Sequence, residues 1–444
     1  MHQSSFLTRR RFGLTALTGA AGLACGLGRT RAAEGPAGET NAQDDHSGPL
    51  GKADACVFLW LGGGAAQTDT FDPKRLGDPD ARKAGSAYRA IPTAAMGVEV
   101  CEHLARLADR MDRVALIRSL HHDAMDEHSA ATHLVHTGRP TSETIAYPSL
   151  GSIVARLKAT GDPKIPAYAL LAHPSGSRGP GFLGAASAPI VAVDPQAGPV
   201  GLAPPRGLSE SRRQTRESLA ETFRQHALNQ RPDDPTTRDW VQAARIASSL
   251  AGPEFQRLFD LEEEPDNLRD AYGAGFGQRC LLARRLVEAG CRFVEVSHSL
   301  NFVNGTGWDT HNHGQKKQHI LIQELDQALA ALIDDLERRG RLDRTLIVVA
   351  TEFGRPIEFD GGGGRGHQSS AFSSLLAGGG LKGGQAVGVT DEDAKTILER
   401  PVSIPDFHAT ILATLGISPH RNLHAGERPV PLTDRGQPLS ELLG

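Results

Sequence analysis

A doubly wound α/β sheet is the fold class that this 444-residue chain predicts, and three observations point to it. Short apolar runs rich in β-branched residues recur along the chain, each closed by glycine or by an acid. Stretches with helical spacing stand between them. The runs show no polar alternation, which is the pattern of strands covered on both faces by helices. In such sheets ligands bind beyond the carboxyl ends of the strands, so the residues that end each run are the first candidates for function.

The composition sets outer bounds. The chain is 39% hydrophobic and 5% aromatic, enough for a large core in one domain or two. It carries 48 basic and 52 acidic residues, a formal charge of -4. That balance excludes a surface built to hold nucleic acid. With 50 glycines and 27 prolines, long loops are expected.

The N-terminus reads as an address rather than as fold. TRRRFGL at 8–14 resembles the twin-arginine export signal. The weakly apolar run 13–28 is too short to span a bilayer, and Arg29 and Arg31 follow it. Residues 1–33 are therefore expected to be a removable signal recognised by the twin-arginine translocation machinery, against a competing reading as a basic tail. Residues 34–52 are polar and read as a disordered linker. The mature chain, with no transmembrane segment, is expected in the periplasm or outside the cell. Its four cysteines, Cys56, Cys101, Cys280 and Cys291, lack C-x-x-C spacing and read as buried small apolar residues.

A single domain is expected over 53–425, with 426–444 as a tail. CVFLWL at 56–61 reads as a buried strand that runs into Gly62, Gly63 and Gly64. Residues 114–117 form a second strand, followed by a His-rich segment at 121–136. Residues 195–270, charged and arginine-rich, read as a helical insertion with helices at 210–230 and 237–250. A helix over 280–289 stops at Gly290 and leads to a strand at 292–297. Leucines spaced by three and four predict a helix over 319–339, capped by Gly340. Strands at 346–350 and 373–377 and a helix at 407–415 complete the chain.

The functional candidates lie at these strand ends. Asp309 and His311, two apart, share one side of an extended segment. Glu352 closes the 346–350 strand, and His367 follows a glycine cluster. Together they make a four-ligand set of oxygen and nitrogen donors, suited to a divalent metal: zinc first, with manganese, iron or calcium as alternatives. The competing reading has Asp309 capping a turn, Glu352 paired with Arg355, and His367 in a surface loop. His128 is a candidate general acid, with Asp123 to orient it, or a ligand. Ser129 and the loop histidines His298 and His313 are lesser candidates. Arg355 could grip a substrate oxyanion, and the Gly63–Gly64 backbone could cradle one.

Several stretches resemble a known family. VFLWLGGGAAQTDTFDPK (57–74), HTGRP (136–140), FGQRCLLARRLVEAGCRFVEV (276–296), GWDTH (307–311), EFGRP (352–356) and LLAGGGLKGGQAVG (375–388) are similar to the DUF1501 family, exported sulfatase-like proteins of the alkaline phosphatase-like superfamily. The resemblance implies a three-layer sandwich around a mainly parallel sheet. It also implies metal-dependent hydrolysis of a phosphate or sulfate ester, with a small molecule or polysaccharide as substrate. Thr137-Gly138-Arg139 matches a sulfatase motif, and counting back from it places the nucleophile position on His128. Gly63 and Gly64 stand where metal-binding aspartates end the first strand, and Asp69 could substitute as a ligand. These departures favour a second expectation, a catalytically degenerate extracytoplasmic binding or structural protein on the same fold.

Overall fold

The computed structural model describes residues 51–124, 127–158, 162–199, 201–202, 207–299, 307–311, 315 and 317–444. The expected signal at 1–33, the linker up to residue 50 and His313 lie outside them. A nine-stranded sheet organises the rest. Its strands in chain order are β1 Ala55–Trp60, β2 Val114–His121, β3 Tyr168–Leu171, β4 Ile190–Val191, β5 Phe293–Ser297, β6 Thr345–Ala350, β7 Phe372–Gly378, β8 Gln385–Val387 and β9 Val402–Ser403. Across the sheet they run β8-β2-β7-β6-β1-β5-β3-β4, with β9 also paired to β2. All pairs are parallel except those of β7, which runs antiparallel to both β2 and β6.

The central strand β1 explains the missing alternation. Val57, Leu59 and Leu61 enter one apolar layer, while Cys56, Phe58 and Trp60 enter the other. Strand side chains alternate between faces, so a strand covered on both sides must be apolar throughout. The first layer is built by the helices Phe276–Ala289 and Gln318–Arg338, the second by Leu150–Leu157 and Ile404–Thr414. The fold is thus a three-layer α/β sandwich with a mainly parallel sheet.

In chain order the helices used below are α1 His128–Thr137, α2 Leu150–Leu157, α3 Glu210–Gln230, α4 Pro235–Leu250, α5 Phe276–Ala289, α6 Gln318–Arg338 and α7 Ile404–Thr414. The helices expected at 210–230 and 237–250 are α3 and α4. Cys56, Cys101, Cys280 and Cys291 are free and buried. The expected tail at 426–444 differs from its reading. Residues Arg428–Pro431 pair with Asn422–Ala425, and Leu439 and Leu442 are fully buried in the second layer. Leucines in so short a stretch have no helical or strand period to announce them, so the sequence pattern missed their burial. Among the described residues no helix is long and apolar enough to cross a membrane.

Candidate metal centre

The carboxyl ends of β1, β2, β5 and β6 lie at one edge of the sheet, and the loops beyond them build the site. Beyond β6 come Glu352 and Phe353, and β1 passes into Gly62–Gly64. After β2, residues 121–127 lead to α1, which begins at His128. Two backbone ties hold the segments in register. Gly354 and Gln368 exchange hydrogen bonds of 2.9 and 3.0 Å, fixing the Glu352 segment to that of His367. The Arg365 N–H donates to the Thr310 carbonyl at 2.8 Å, fixing His367 beside Asp309 and His311. Gly364 is required here: a Cβ on it would lie 1.6 Å from the Thr310 oxygen.

These ties bring four side chains together. His311 Nε2 lies 3.1 Å from Asp309 Oδ1 and 3.0 Å from His367 Nε2. His128 Nε2 and His367 Nε2 are 3.7 and 3.9 Å from the same Asp309 oxygen. Donor atoms of His128, Asp309 and His367 all fall within 4.8 Å of one another. A tetrahedral ion with bonds near 2.0–2.1 Å separates its ligand atoms by about 3.3 Å, and these distances bracket that value. His311 and His367 meet Nε2 to Nε2 at 3.0 Å, a spacing that either a shared proton or a cation held by the two lone pairs would fit. The donor set fits a divalent ion.

Burial tunes the groups. Asp309 is almost wholly buried, His128 and His367 are largely covered, and His311 is the most open at 36%. Phe353, fully buried, packs its ring against both His128 and His367 at 4.7 and 4.5 Å between centroids. Burial pulls the His128 imidazole down, but hydrogen bonds to Asp309 and Glu352 outweigh it and raise the pKa to about 9. His311 is held below its usual value by burial and by the Arg355 charge.

The structure gives several of the expected residues partners other than the ones the sequence suggested. Glu352, expected as a ligand, accepts from His128 Nδ1 at 2.7 Å and from the Gly63 N–H at 2.8 Å through the same Oε1. It stands behind His128 rather than in the cluster. Asp69 is committed elsewhere, to a two-pronged pair with fully buried Arg365 at 2.9 and 3.0 Å. Arg355 has no exposed surface to offer a substrate. Its guanidinium donates to Asp309 Oδ1 at 2.6 Å, to the Gly64 carbonyl at 2.8 Å, to the Arg365 carbonyl at 2.6 Å and to the Gly63 carbonyl. The Gly63–Gly64 loop therefore spends both carbonyls on Arg355 and one N–H on Glu352, instead of turning them to an anion. His128, expected as a proton carrier, turns Nε2 toward Asp309. His298 lies apart from the cluster, tilted against Phe276 and edge-on to Trp308.

Reading from sequence missed a second buried group. Glu295, in the middle of β5, accepts from Arg178 Nε at 2.5 Å, His136 Nε2 at 3.1 Å and the Tyr168 hydroxyl at 3.0 Å. An acid inside an otherwise apolar strand was the available signal. Burial would raise the Glu295 carboxyl, yet Arg178 and His136 hold it down at about 2.

The family model described as a protein of unknown function, DUF1501, matches residues 53–443. No curated protein matches the chain. Solved structures similar to it include the sulfatase PsFucS1 from Pseudoalteromonas sp., at 12% identity over 88% of this chain and 72% of that one, with a TM-score of 0.42. They also include the phosphonate monoester hydrolase SpPMH from Silicibacter pomeroyi, at 10% identity over 87% and 76%, with a TM-score of 0.37. A third is the alkaline phosphatase of the Antarctic bacterium TAB5, at 12% identity over 74% and 92%, with a TM-score of 0.33.

Proposed function

The chain belongs to the DUF1501 family, and for this member we propose an exported, metal-dependent hydrolase of phosphate or sulfate esters. The observation that carries the metal is the convergence of His128, Asp309 and His367 at the strand ends, with His311 beside the last two. Three imidazoles and one carboxylate suit zinc first, then manganese or iron, and argue against calcium or magnesium, which prefer oxygen. The ester class rests on the sulfatase-like motifs around Thr137-Gly138-Arg139 and 352–356. Export rests on the twin-arginine motif at 8–14, which also names the translocation machinery as a partner.

When bound, the metal supplies a Lewis acid and an activated water. The chain's own residues do the rest. Asp309 brings the single negative charge, held in place by Arg355. Phe353 keeps water from the buried side of the imidazoles, which leaves the His311 side open for a small-molecule or polysaccharide ester. Among the described residues no serine, threonine or cysteine belongs to the cluster, and in this reading water, not a covalent nucleophile, is the attacking group.

Metal content of the purified mature chain, measured by elemental analysis, tests the proposal. One divalent transition metal per chain is expected, lost in Asp309→Ala. A metal-free wild-type chain with unchanged stability in chelator sinks it. A second reading is favoured by His128 at the nucleophile position and by the commitment of Asp69 to Arg365: a metal-binding protein that no longer hydrolyses esters. Aryl phosphates and sulfates assayed with zinc, manganese and iron separate the two. Turnover that Asp309→Ala abolishes excludes the second.

A further inference from the structure

The two carboxylates nearest the metal centre are not equivalent, and the difference resides in which imidazole nitrogen each one meets. Asp309 faces Nε2 atoms, at 3.1 Å from His311 and 3.7 Å from His128. Glu352 faces only the opposite nitrogen of His128, Nδ1, at 2.7 Å. An ionised carboxylate only accepts hydrogen bonds, so this contact holds a proton on Nδ1 and turns Nε2 toward Asp309. Glu352 is itself fixed: its Oε1 also receives the Gly63 N–H at 2.8 Å, and the Thr351 hydroxyl lies 3.2 Å from its Oε2. Its side chain is almost completely buried.

Resting on the metal reading above, we infer that Glu352 is a positioning residue, not a ligand: it sets the tautomer and ring orientation of His128 and acts on the metal only through that imidazole. The arrangement is the carboxylate–histidine–metal relay by which proteins orient a ligand ring and raise its basicity. The glycine turn after β1 thereby acquires a purpose. The Gly63 N–H anchors Glu352, and Glu352 anchors His128, so the end of β1 sets the metal geometry without supplying a ligand.

A double-mutant cycle on metal affinity tests this, using the full mature chain and zinc in competition with a chromophoric chelator. Wild type must bind zinc; if it does not, the metal reading itself fails, and this is seen before any variant is made. Loss of a relay carboxylate weakens binding about 10- to 100-fold, so Glu352→Ala is expected to fall in that range. Glu352→Gln keeps an acceptor oxygen for both N–H groups and is expected to lose less. The deciding measurement is Glu352→Ala in a His128→Ala background. If Glu352 works through His128, the pair binds zinc no more weakly than His128→Ala alone. A further additive loss means Glu352 touches the ion directly and overturns the inference while leaving the metal reading intact. Should Glu352→Ala fail to fold, the same cycle runs with Glu352→Gln. The cobalt-substituted protein gives an independent readout. Its visible absorption is expected to keep its band positions in Glu352→Gln, and a changed donor set there would overturn the inference as well.

Discussion

Arg355 shows how a single residue changes meaning between sequence and structure. Its place after a strand-ending acid suggests a substrate clamp, and nothing in the string GRP says otherwise. In the fold it is a fully buried guanidinium with one carboxylate and backbone carbonyls as acceptors, and it neutralises Asp309 through Oδ1, the oxygen that also faces the histidines. Breaking a buried pair by removing one partner costs about 3–5 kcal/mol, because the remaining charge stays desolvated. Arg355→Ala is expected to lose that much in urea unfolding of the metal-free chain. Arg355→Lys should recover only part, since a single ammonium cannot fork to the same acceptors. Zinc should stabilise Arg355→Ala more than wild type, because it returns a cation to Asp309. Unfolding midpoints with and without zinc check this, and equal shifts would contradict it. The Asp-x-His spacing made Asp309 and His311 legible as neighbours, and glycines flagged the His367 loop. The partition between Glu352 and His128 was not legible, because it depends on which ring nitrogen meets which carboxylate between segments more than 200 residues apart in the chain.

Elements were read more faithfully than roles, for a physical reason. Strands covered on both faces and helices with leucine spacing carry their signature locally, so β1, β5, β6, α5 and α6 stand within a few residues of expectation. Strand direction has no local signature, and the antiparallel course of β7 was not foreseen. The Thr137-Gly138-Arg139 motif gains an element-level explanation. Gly138 ends α1 in the left-handed region at φ 71°, its N–H donates to the Leu134 carbonyl at 2.8 Å, and a Cβ on it would lie 2.9 Å from the His408 ring. A left-handed non-glycine residue costs roughly 1–2 kcal/mol, and the crowded ring adds to that. Gly138→Ala is expected to lower stability by about 2 kcal/mol and, because α1 carries His128 at its other end, to weaken zinc binding too. Thermal unfolding and chelator competition measure the two effects. An unchanged melting temperature would show that the turn tolerates a side chain.

At the scale of the whole molecule, stability in acid follows from histidines that the core holds neutral. Burial keeps His408 at about 4, with Nε2 2.7 Å from the Val135 carbonyl, and burial together with the Arg279 charge keeps His298 at about 3. Their unfolded values lie near 6.5. Between the two limits the unfolded chain binds protons that these two folded histidines refuse, so their contribution is complete above about pH 6.5 and declines as pH falls toward 4. Each histidine contributes a slope approaching ~1.4 kcal/mol per pH unit inside that window. Glu295 adds a lower limb: with its folded value near 2, its contribution is kept above about pH 4.3, declines below that and is gone once pH has fallen through 2. His408 lies in α7 of the second apolar layer, Glu295 in β5, and His298 against Phe276 and Trp308 of the first layer, so the acid response belongs to the fold and not to the metal. Urea unfolding of the chelator-treated chain from pH 7.5 to 4.5 is expected to show the decline. His408→Gln, which keeps a donor for Val135 without a titrating ring, should flatten it by about one histidine's share. A profile identical to wild type would mean that His408 is already charged in the folded chain, and the acid sensitivity would then have to originate elsewhere in the core.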